Sequence, residues 1–553
     1  MSGRSPGPTG RSWVPAAAFL AVACLAALLY LPSLGNGFVN WDDDAMIVEN
    51  PYIRSLGPAS LAWMFTTDHM SAYQPAGWLG YALIYKALGM RPLAFHLASS
   101  LVHGLNAGLF FLLSWRLLRL HRASGDGPSA RAALLAGAVF AGLLFGLHPL
   151  AVETVALASG FADLLCIFFL FLSLLAYLDS LEAQAPSRNR LLALSLTLLA
   201  VSGLCRWKGV VLPAAVALLA VHPLARFRKD RGRAWAELAA FAGVAGLILL
   251  ANALAKAHGA GYGLNLRLLE AGSAVLHYAA KVLWPAGLIP LKELGPAAGF
   301  GTWEPLALTC LVTLASAVWA RRFPGLLSLW VVFLASLAPP FGLKGPGPLF
   351  AQDVHAYLAA SAFYLAGGAL LARAWAARRG RTALACGAAC LLALLAGVSL
   401  RQTRVWKDSV SLWTHTLAVD DASHPARTNL AAALINMGRE DEAVLHLKDQ
   451  LARHPGDEMA RFNLAQAFFR RGGAFEPDLG KVHNNLGADL FSLGRAEEAA
   501  YHLSKALALA PASANTHHNL AAVFLSMGRV REAERHQARW LALAAASASG
   551  SRH

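Results

Sequence analysis

The sequence carries little charge for its length. Asp, Glu, Lys and Arg make up only 14% of its 553 residues, whereas 56% of the residues are hydrophobic. Soluble proteins carry about 25% charged residues, so this deficit excludes a chain whose whole surface is solvated by water. The deficit is uneven. The sequence before Leu400 is dominated by Leu, Ala, Gly, Val and Phe, whereas the sequence after Arg401 has the composition of a soluble helical protein.

Cysteine is also scarce, and its placement excludes two common kinds of site. The six cysteines all lie in or beside apolar runs. None has the spacing of a disulfide framework or of a zinc site, so the sequence predicts no metal centre of that kind. The cysteines are Cys24, Cys166, Cys205, Cys310, Cys386 and Cys390.

The formal net charge of +15 has two interpretations. A basic chain can bind nucleic acid. Here, however, the positive residues lie mainly in short loops between apolar runs, which is typical of membrane proteins. We therefore expect membrane lipid, and no nucleic acid, among the partners of this chain.

Long apolar runs predict a polytopic membrane domain over residues 1–400. A helix needs about 20 apolar residues to cross a bilayer, and the runs predict an all-α bundle of about 11 spans. The stretch 271–290 is interrupted by His277, Lys281 and Pro285, which favours an interfacial or re-entrant helix there. The predicted spans are 13–34, 93–118, 132–148, 159–180, 190–205, 209–224, 235–254, 304–320, 325–341, 356–374 and 382–400.

The basic residues of the loops predict the orientation of the membrane domain. Arg4 and Arg11 precede the first span and place the N-terminus in the cytoplasm, and further arginines recur in every second loop, as the positive-inside rule requires. An odd number of spans then places the C-terminal domain outside the cytoplasm. The Ala-, Leu- and Arg-rich composition favours a bacterial inner membrane with a periplasmic C-terminal domain. The eukaryotic alternative is the endoplasmic reticulum membrane with a lumenal domain.

The C-terminal part of the sequence repeats itself. Asn429 and the leucine after it recur 34 residues later at Asn463, and the same pair recurs over 34 residues between Asn485 and Asn519. This is the period of tetratricopeptide (TPR) helical hairpins. The step from Asn463 to Asn485 is only 22 residues, which predicts that the second repeat has lost its second helix.

These patterns divide the chain into four parts. The membrane domain (1–400) is followed by a connector (401–423), the TPR repeats (424–546) and a disordered tail (547–553). Repeat arrays of this kind usually present a concave surface to a peptide or protein, so we expect a protein partner there. The alternative is that the array only stabilises or dimerises the protein.

Three consecutive carboxylates follow the first span. Asp42, Asp43 and Asp44 cannot all ionise freely at this spacing, so the pKa of at least one of them should be raised. A raised pKa suits a general base near neutral pH, and adjacent carboxylates also suit a divalent-metal ligand. The alternative is a solvated loop or a helix cap, in which acidic residues are common.

Further charged residues lie at the predicted outer ends of later spans. His148 and Glu153 flank a helix that begins with proline. Asp163 lies inside an apolar run and should face the bundle interior or a cavity. Arg206 and Lys208 can either extend to lipid headgroups or bind a lipid-linked phosphate.

The order of these motifs resembles the TMTC O-mannosyltransferases, which are transmembrane, TPR-containing members of the GT-C membrane glycosyltransferases. The resemblance runs over most of the chain, and it rests on the order and spacing of the motifs rather than on any one of them. The matching segments are Phe38 to Asn50, Tyr73 to Pro75, Phe95-His96 with His103, His148-Pro149 with Glu153, Gly160 to Leu165, Lys208, Leu283-Trp284-Pro285, Val405 to Asp408, and the repeats.

The resemblance implies transfer of a sugar from a polyprenyl-phosphate donor to an acceptor hydroxyl, such as a protein Ser or Thr, on the external face. It implies that Asp42 deprotonates the acceptor with Asp43 beside it, and that cations stabilise the departing lipid phosphate. Arg206, Lys208 and His355 would bind that phosphate, a divalent metal is an option, and the repeats would present the acceptor. The other site candidates are Asp44, Tyr73, His148, Glu153, Asp163 and Asp353.

Three positions depart from the family pattern. Relatives carry arginine where this chain has Gln74, Phe161 and Val354, all of which are predicted to be external. Each lost charge-assisted contact is worth about 1.5–3 kcal/mol. The departures favour an alternative, a catalytically inactive membrane-anchored TPR scaffold. A transporter has little support, because the two halves show no paired broken helices.

Overall fold

The computed structural model is almost entirely helical, which confirms the predicted all-α class. Within the described residues, the exception is one pair of two-residue antiparallel strands, β1 (Lys292–Glu293) and β2 (Phe350–Ala351). The described residues are 13–71, 73–121, 127–255, 264–293, 303–342, 350–377, 380–470, 479–492 and 495–550.

The N-terminal part of the chain folds into α-helices joined by short 3-10 turns. Proline occupies the first turn of many helices, where its missing N–H leaves no hydrogen bond unmade. The α-helices are α1 (Trp13–Leu29), α2 (Pro58–Thr66), α3 (Pro75–Leu88), α4 (Pro92–His121), α5 (Pro128–Leu147), α6 (Val152–Ala156), α7 (Phe161–Glu182), α8 (Ser187–Cys205), α9 (Leu212–Val221), α10 (Arg226–Lys229), α11 (Arg231–Ala255), α12 (Leu264–Leu283), α13 (Glu304–Trp319), α14 (Pro324–Gly342), α15 (Ala356–Ala359), α16 (Ser361–Ala376) and α17 (Arg381–Val405). The 3-10 turns are Leu31–Gly35, Pro51–Arg54, His69–Ser71, Pro149–Ala151, Ala158–Gly160, Trp207–Val211 and Asp353–His355, and one π-helical turn spans Asp44–Val48.

In the described part of the chain, 7 helices are long and apolar enough to cross a membrane, and a pair bent by 43° (Asp353–Ala359 with Ser361–Ala376) makes 8 if it counts as one span. The other three predicted spans correspond to shorter apolar helices, Trp207–Val221, Glu304–Trp319 and Pro324–Leu337. A helix of about 16 residues covers about 24 Å, which is less than the ~30 Å hydrocarbon core. Within the described residues, Trp207–Val221 and Glu304–Trp319 are therefore shorter than a full span, whereas α14 continues to Gly342. The candidate spans are Trp13–Gly35, Pro92–Leu120, Pro128–Leu147, Ala158–Glu182, Ser187–Cys205, Arg231–Leu254 and Arg381–Val405.

The stretch predicted to be interfacial or re-entrant contains the second half of α12. This helix is not among the candidate spans. One of its faces is buried, at Ala274 and Tyr278, whereas Leu283 and Trp284 at its end are exposed. Such a two-faced helix suits the predicted interfacial position.

Glycines allow α5 and α16 to pack backbone to backbone. A Cβ atom added at Gly137 would lie 2.3 Å from the Gly368 carbonyl oxygen, and one added at Gly368 would lie 2.5 Å from the Gly137 carbonyl oxygen. No side chain fits at either position. Association through small residues is the usual way in which helices pack closely in a bilayer.

The segment between the first two spans is helical rather than an open loop. It contains α2, α3 and several short turns, which enclose an apolar core around Ile53, Met64, Trp78 and Tyr81. This core packs against the start of α7, including Ala162. The acidic residues therefore lie on a folded layer and not on a solvated loop.

The chain divides into two compact units, Met1–Leu412 and Trp413–His553. The division falls inside α18 (Ser409–Val419), which lies in the predicted connector. Helical hairpins follow, and Gly438 and Gly528 end first helices with φ angles of 73° and 72°, which glycine adopts readily. The helices are α19 (His424–Asn436), α20 (Glu440–Arg453), α21 (Glu458–Arg470), α22 (Leu479–Ser492), α23 (Ala496–Leu509), α24 (Ala514–Ser526) and α25 (Val530–Gly550).

Two predicted features of the repeat region fall wholly or partly outside the described residues. The lost second helix of the second repeat falls at 471–478, outside the described residues. Helix α25 continues to Gly550 and so enters the segment 547–553 that was predicted to be a disordered tail, of which residues 551–553 also lie outside the described part.

Candidate active site

The segment after the last membrane helix holds the acidic segment in place. The backbone N–H of Gly37 donates to the Lys407 carbonyl at 2.8 Å, and that of Asn40 donates to the Ser409 hydroxyl at 2.8 Å. The Asn36 side chain donates to the Thr403 carbonyl at 3.4 Å. The Val405–Asp408 motif, which is distant in sequence, therefore lies beside the acidic residues.

Asp43 points into the protein and is fully buried. Its two carboxylate oxygens accept hydrogen bonds from the backbone N–H groups of Val39, at 3.2 Å, and Ser159, at 2.8 Å. The pKa of Asp43 is raised to about 7, mainly by burial and to a smaller extent by the charge of Asp42, while these hydrogen bonds oppose the rise. This carboxylate joins the acidic segment to the turn that starts α7.

The two neighbours of Asp43 are only half-buried. The charge of Asp42 raises the pKa of both Asp43 and Glu153, so Asp42 lies within electrostatic reach of both. Asp44 starts the π-helical turn, and burial together with the charge of Glu49 raises its pKa. Of the three aspartates, Asp42 is the one that combines solvent access with proximity to the other charged residues.

Asp163 pairs with both cations of the third external turn. One carboxylate oxygen lies 2.6 Å from Nζ of Lys208, and the other lies 3.2 Å from Nε of Arg206. All three side chains are mostly buried, at 7%, 11% and 15% exposure for Asp163, Lys208 and Arg206. One carboxylate thus faces two cations, and the charge of Asp42 also acts on Arg206.

The backbone of Val354 connects Lys208 to a second pair of carboxylates. The Lys208 ammonium donates to the Val354 carbonyl at 3.1 Å, and the Val354 N–H donates to the Glu153 carboxylate at 3.1 Å. Burial raises the pKa of Glu153 well above its usual value, and the adjacent Asp353 carboxylate raises it further. We name Asp42, Asp43, Glu153, Asp163, Arg206, Lys208 and Asp353 the acid–base cluster.

Two residues of α12 complete the surroundings of this cluster. The Tyr278 hydroxyl donates to the Gln352 carbonyl at 2.9 Å and accepts from the Gln352 N–H at 3.1 Å, which fixes the chain just before Asp353. Lys281 lies close enough for the Asp353 charge to raise its pKa, although burial lowers that pKa more strongly. The predicted interfacial helix therefore borders the cluster.

His148 has a structural position instead. Its Nδ1 accepts from the Leu150 N–H at 3.2 Å, so the ring is neutral and its Nε2 donates to the Val282 carbonyl at 3.0 Å. Burial lowers its pKa to about 4. His148 caps the turn after α5 and ties it to α12, one turn of chain away from Glu153.

The remaining candidates lie at the edges of the site. His355 is half-buried and directly follows Val354 at the end of a 3-10 turn. Tyr73 is half-buried just before α3. His96 and His103 are packed between helices, where His96 contacts the Gly37 carbonyl at 3.3 Å and His103 contacts the Tyr357 hydroxyl at 2.8 Å.

The three positions that lack the family arginine have three different environments. Gln74 is fully buried, and neither atom of its amide has a hydrogen-bond partner among the described residues. Phe161 packs against Tyr81, with ring centroids 6.2 Å apart. At Val354 the backbone, not the side chain, connects Glu153 with Lys208. Gln74 thus leaves buried polar atoms without a hydrogen bond, whereas the contacts at Phe161 and Val354 are made by an aromatic ring and by the backbone.

Sequence reasoning missed Ser159, Tyr81 and Tyr278. The Tyr81 hydroxyl donates to the Ser159 carbonyl at 2.5 Å, while the Ser159 N–H holds Asp43. Ser159 directly precedes the Gly160 to Leu165 motif of the sequence analysis, and this position was the one feature of the sequence that could have indicated its role. Both tyrosines lie in stretches without a motif.

Comparisons with known proteins agree with the sequence resemblance. A model of the TPR repeat matches residues 487–528. Human protein O-mannosyl-transferase TMTC4 is 30% identical over 226 residues, which is 38% of this chain and 30% of the human protein. Drosophila melanogaster Tmtc1 is 34% identical over 168 residues, or 28% of this chain and 17% of that protein. Mouse protein O-mannosyl-transferase TMTC3 is 27% identical over 202 residues, which is 34% of this chain and 20% of the mouse protein.

These matches span at most 30% of the length of the three relatives. Among solved structures, the crystal structure of the APC/C hetero-tetramer Cut9–Hcn1 matches 85% of this chain and 86% of its own at 16% identity, with a TM-score of 0.14, which is too low to carry an argument. The sequence matches and the TPR repeat together confirm the resemblance: over about a third of its length the chain is similar to the TMTC proteins, and it carries a TPR repeat.

Proposed function

We propose that this protein is a membrane glycosyltransferase that moves a sugar from a polyprenyl-phosphate donor to an acceptor hydroxyl. The proposal rests mainly on the acid–base cluster. The backbone of Val354 links the buried Glu153 to Lys208, which pairs with Asp163 beside Arg206, and Asp42 lies within electrostatic reach of Glu153. Enzymes of general acid–base chemistry need such a pairing. The names of the similar proteins support the same class of reaction.

Asp42 is the proposed base. It is half-buried, whereas Asp43 beside it is fully buried and occupied by two backbone N–H groups. Asp43 therefore positions the acidic segment, and Asp42 accepts the proton of the acceptor hydroxyl as that oxygen attacks the anomeric carbon. General-base catalysis of this kind contributes about 100- to 10,000-fold to a rate. A single displacement inverts the configuration of the sugar.

Arg206 and Lys208 are the proposed phosphate ligands. Leaving-group departure transfers negative charge to the lipid phosphate, and cations placed beforehand stabilise that charge. Asp163 holds both cations while the donor is absent. Arginine and lysine form charge-assisted hydrogen bonds with phosphate groups.

The substrates and the membrane follow from the topology that we propose. The cluster lies at the predicted extracytoplasmic ends of the spans, so the donor is a lipid-linked sugar that reaches the periplasm or lumen. The acceptor is a protein hydroxyl presented by the TPR repeats, whose usual ligands are peptides and proteins. A bacterial inner membrane is the proposed location.

A second candidate function is a TPR scaffold without catalysis. One observation favours it. Phe161 replaces a family cation with an apolar side chain that packs in the core.

The deciding experiment measures sugar transfer in membranes that contain the full-length protein. Radiolabelled polyprenyl-phosphate mannose is supplied, and labelled product on co-expressed proteins is scored with EDTA and with Mg²⁺ or Mn²⁺, which tests the divalent-metal option. Asp42→Asn should lower transfer by about 100-fold or more. Asp68→Asn, an exposed carboxylate of the same segment, should change nothing. Equal transfer by the wild type, by Asp42→Asn and by empty membranes would leave the scaffold as the function.

A further inference from the structure

Two pairs of histidines face each other in the TPR array. Nδ1 of His483 in α22 lies 3.0 Å from Nδ1 of His502 in α23, and Nδ1 of His517 in α24 lies 2.9 Å from Nδ1 of His536 in α25. The second pair follows the first by 34 residues in both helices. Since the same nitrogen atoms meet in two hairpins, the arrangement belongs to the repeat and is not an isolated contact.

The second pair has the hydrogen bonding that metal-binding histidines usually have. Nε2 of His517 lies 3.3 Å from the Pro511 carbonyl, which can only accept, so the neutral ring carries its proton on Nε2. Its Nδ1 lone pair is therefore directed at His536. Histidine ligands commonly donate their second N–H to a backbone carbonyl in this way, which fixes the tautomer that binds the metal.

The four imidazoles are surrounded by few charges. Burial is the largest cause that lowers the pKa of His483, to about 4, and those of His502 and His536. The charged neighbours are Lys505 near His483, Arg495 and Glu498 near His502, and Glu532 near His536.

We propose that each histidine pair chelates a divalent ion that prefers 90° ligand angles, namely Cu(II) or Ni(II). A metal–nitrogen bond of about 2.0–2.1 Å and the present separations give an angle of roughly 90° between the two bonds. Each bond then lies about 45° from the line between the two nitrogen atoms, so both rings rotate to direct their lone pairs at the ion. Square-planar and octahedral ions accept that angle. Tetrahedral Zn(II), at ~109°, would need the nitrogen atoms about 3.3 Å apart. Binding moves the one Nδ1 proton of each neutral pair to Nε2 of its own ring, so no proton is released.

Water completes the coordination of each ion. Within the described residues, no group of three or more His, Cys, Asp and Glu side chains is placed to hold a metal ion. Glu498 and Glu532, one helical turn before His502 and His536, are held instead by Arg495 and Arg529, with closest Nε distances of 2.7 and 2.5 Å. The sites are therefore two-histidine chelates that are open to exchange.

The first repeat provides a matched control. The Arg–Glu pair that precedes His502 and His536 recurs as Arg439 and Glu442 before His446. His446 thus occupies the same position on its helix, but it is near the charge of Arg427 instead of a second imidazole; burial, and then this charge, lower its pKa. A cation opposite the ring cannot join a chelate, so the first repeat should bind no ion in this way.

The test is a Cu(II) titration of the full-length protein in detergent, followed by electron paramagnetic resonance. His502→Gln and His536→Gln should each remove one equivalent of nitrogen-coordinated Cu(II), and the double variant should remove two. His446→Gln should remove none. His424 and His454, whose rings also lie 5.1 Å apart, remain in all variants and are a constant background.

Two further readings complete the test. Helical circular dichroism and the melting temperature establish that each variant is folded, and Ni(II) should raise the melting temperature of the wild type but not of the double variant. Zn(II) should compete weakly with Cu(II). The proposal would be overturned if the double variant bound as much Cu(II) as the wild type, or if His446→Gln removed as much Cu(II) as His502→Gln or His536→Gln. The pairs would then be hydrogen bonds between two imidazole rings.

Discussion

The ammonium group of Lys208 lies 2.6 Å from a carboxylate oxygen of Asp163, and Nε of Arg206 lies 3.2 Å from the other oxygen. Removal of the negative charge by Asp163→Asn leaves two mostly buried cations without their partner. We expect a loss of about 3–5 kcal/mol in unfolding free energy, as for other broken buried ion pairs. Thermal melting of the detergent-purified protein measures it.

The matched control lies on the same helix. Asp179 pairs with Arg116 but is 43% exposed, so Asp179→Asn should cost about 0–1 kcal/mol. The double variant Asp163→Asn with Lys208→Met should recover part of the lost stability, because one of the orphaned cations is gone. Equal melting temperatures for the Asp163 and Asp179 variants would show that the buried pair does not stabilise the fold.

Gly160 lies in the chain between Ser159, whose N–H binds Asp43, and Asp163 in the first turn of α7. A Cβ atom there would lie 2.3 Å from the Thr154 carbonyl oxygen, which is a backbone atom and cannot move aside. Gly160→Ala should therefore displace Ser159, weaken its hydrogen bond to Asp43, and lower the melting temperature. Gly127→Ala is the control, because nothing lies within 4 Å of a Cβ atom there. Similar melting temperatures for the two variants would contradict the packing around Gly160.

Glu153 should tolerate loss of its charge but not loss of its oxygen atoms. Burial raises its pKa well above the usual value and so disfavours the charged form, and the amide of Glu153→Gln can still accept from the Val354 N–H. We expect nearly unchanged stability for this variant. Glu153→Ala leaves that buried N–H unsatisfied and should cost about 1–3 kcal/mol. Chemical or thermal unfolding of both variants checks this order, and the reverse order would refute it.

Asp43 should make the stability depend on pH. Its pKa is raised from 3.8 to about 7 in the folded protein, so between these values the folded chain binds more protons than the unfolded chain. The stability that Asp43 contributes therefore falls as pH rises from about 4 to 7 and is constant above pH 7. Asp43→Asn cannot titrate, so its melting temperature should rise relative to the wild type across that range. A difference between the two proteins that does not change with pH would show that Asp43 is ionised throughout.

The helical membrane domain and the repeats were predictable because both leave a local pattern. Apolar runs near 20 residues and a 34-residue period are readable without any long-range contact. The lengths of individual spans were less predictable. Trp207–Val221 and Glu304–Trp319 are apolar along their sequence, yet the helices end before they reach the length of a full span, because helix ends depend on turns and caps.

The chemical identity of the site residues was also readable from the sequence, since charges at the ends of apolar runs are rare and costly. Their individual positions were not. Asp42 and Asp43 are adjacent and chemically identical, and no local rule predicts that Asp43 is buried while Asp42 keeps access to solvent. The difference arises from Ser159, which is 116 residues away in the chain and donates its N–H to Asp43.

The sequence by itself therefore determined the class of the fold, the repeats and the kinds of residue available for chemistry. Tertiary structure alone decided which of them meet. The backbone of Val354 links Lys208 with Glu153 across 146 and 201 residues of chain. Such contacts depend on how helices from distant segments pack, and the packing is set by the close fit of many side chains at once. The same holds for the facing histidines, whose 34-residue period is visible in the sequence but whose contact depends on the pairing of two helices.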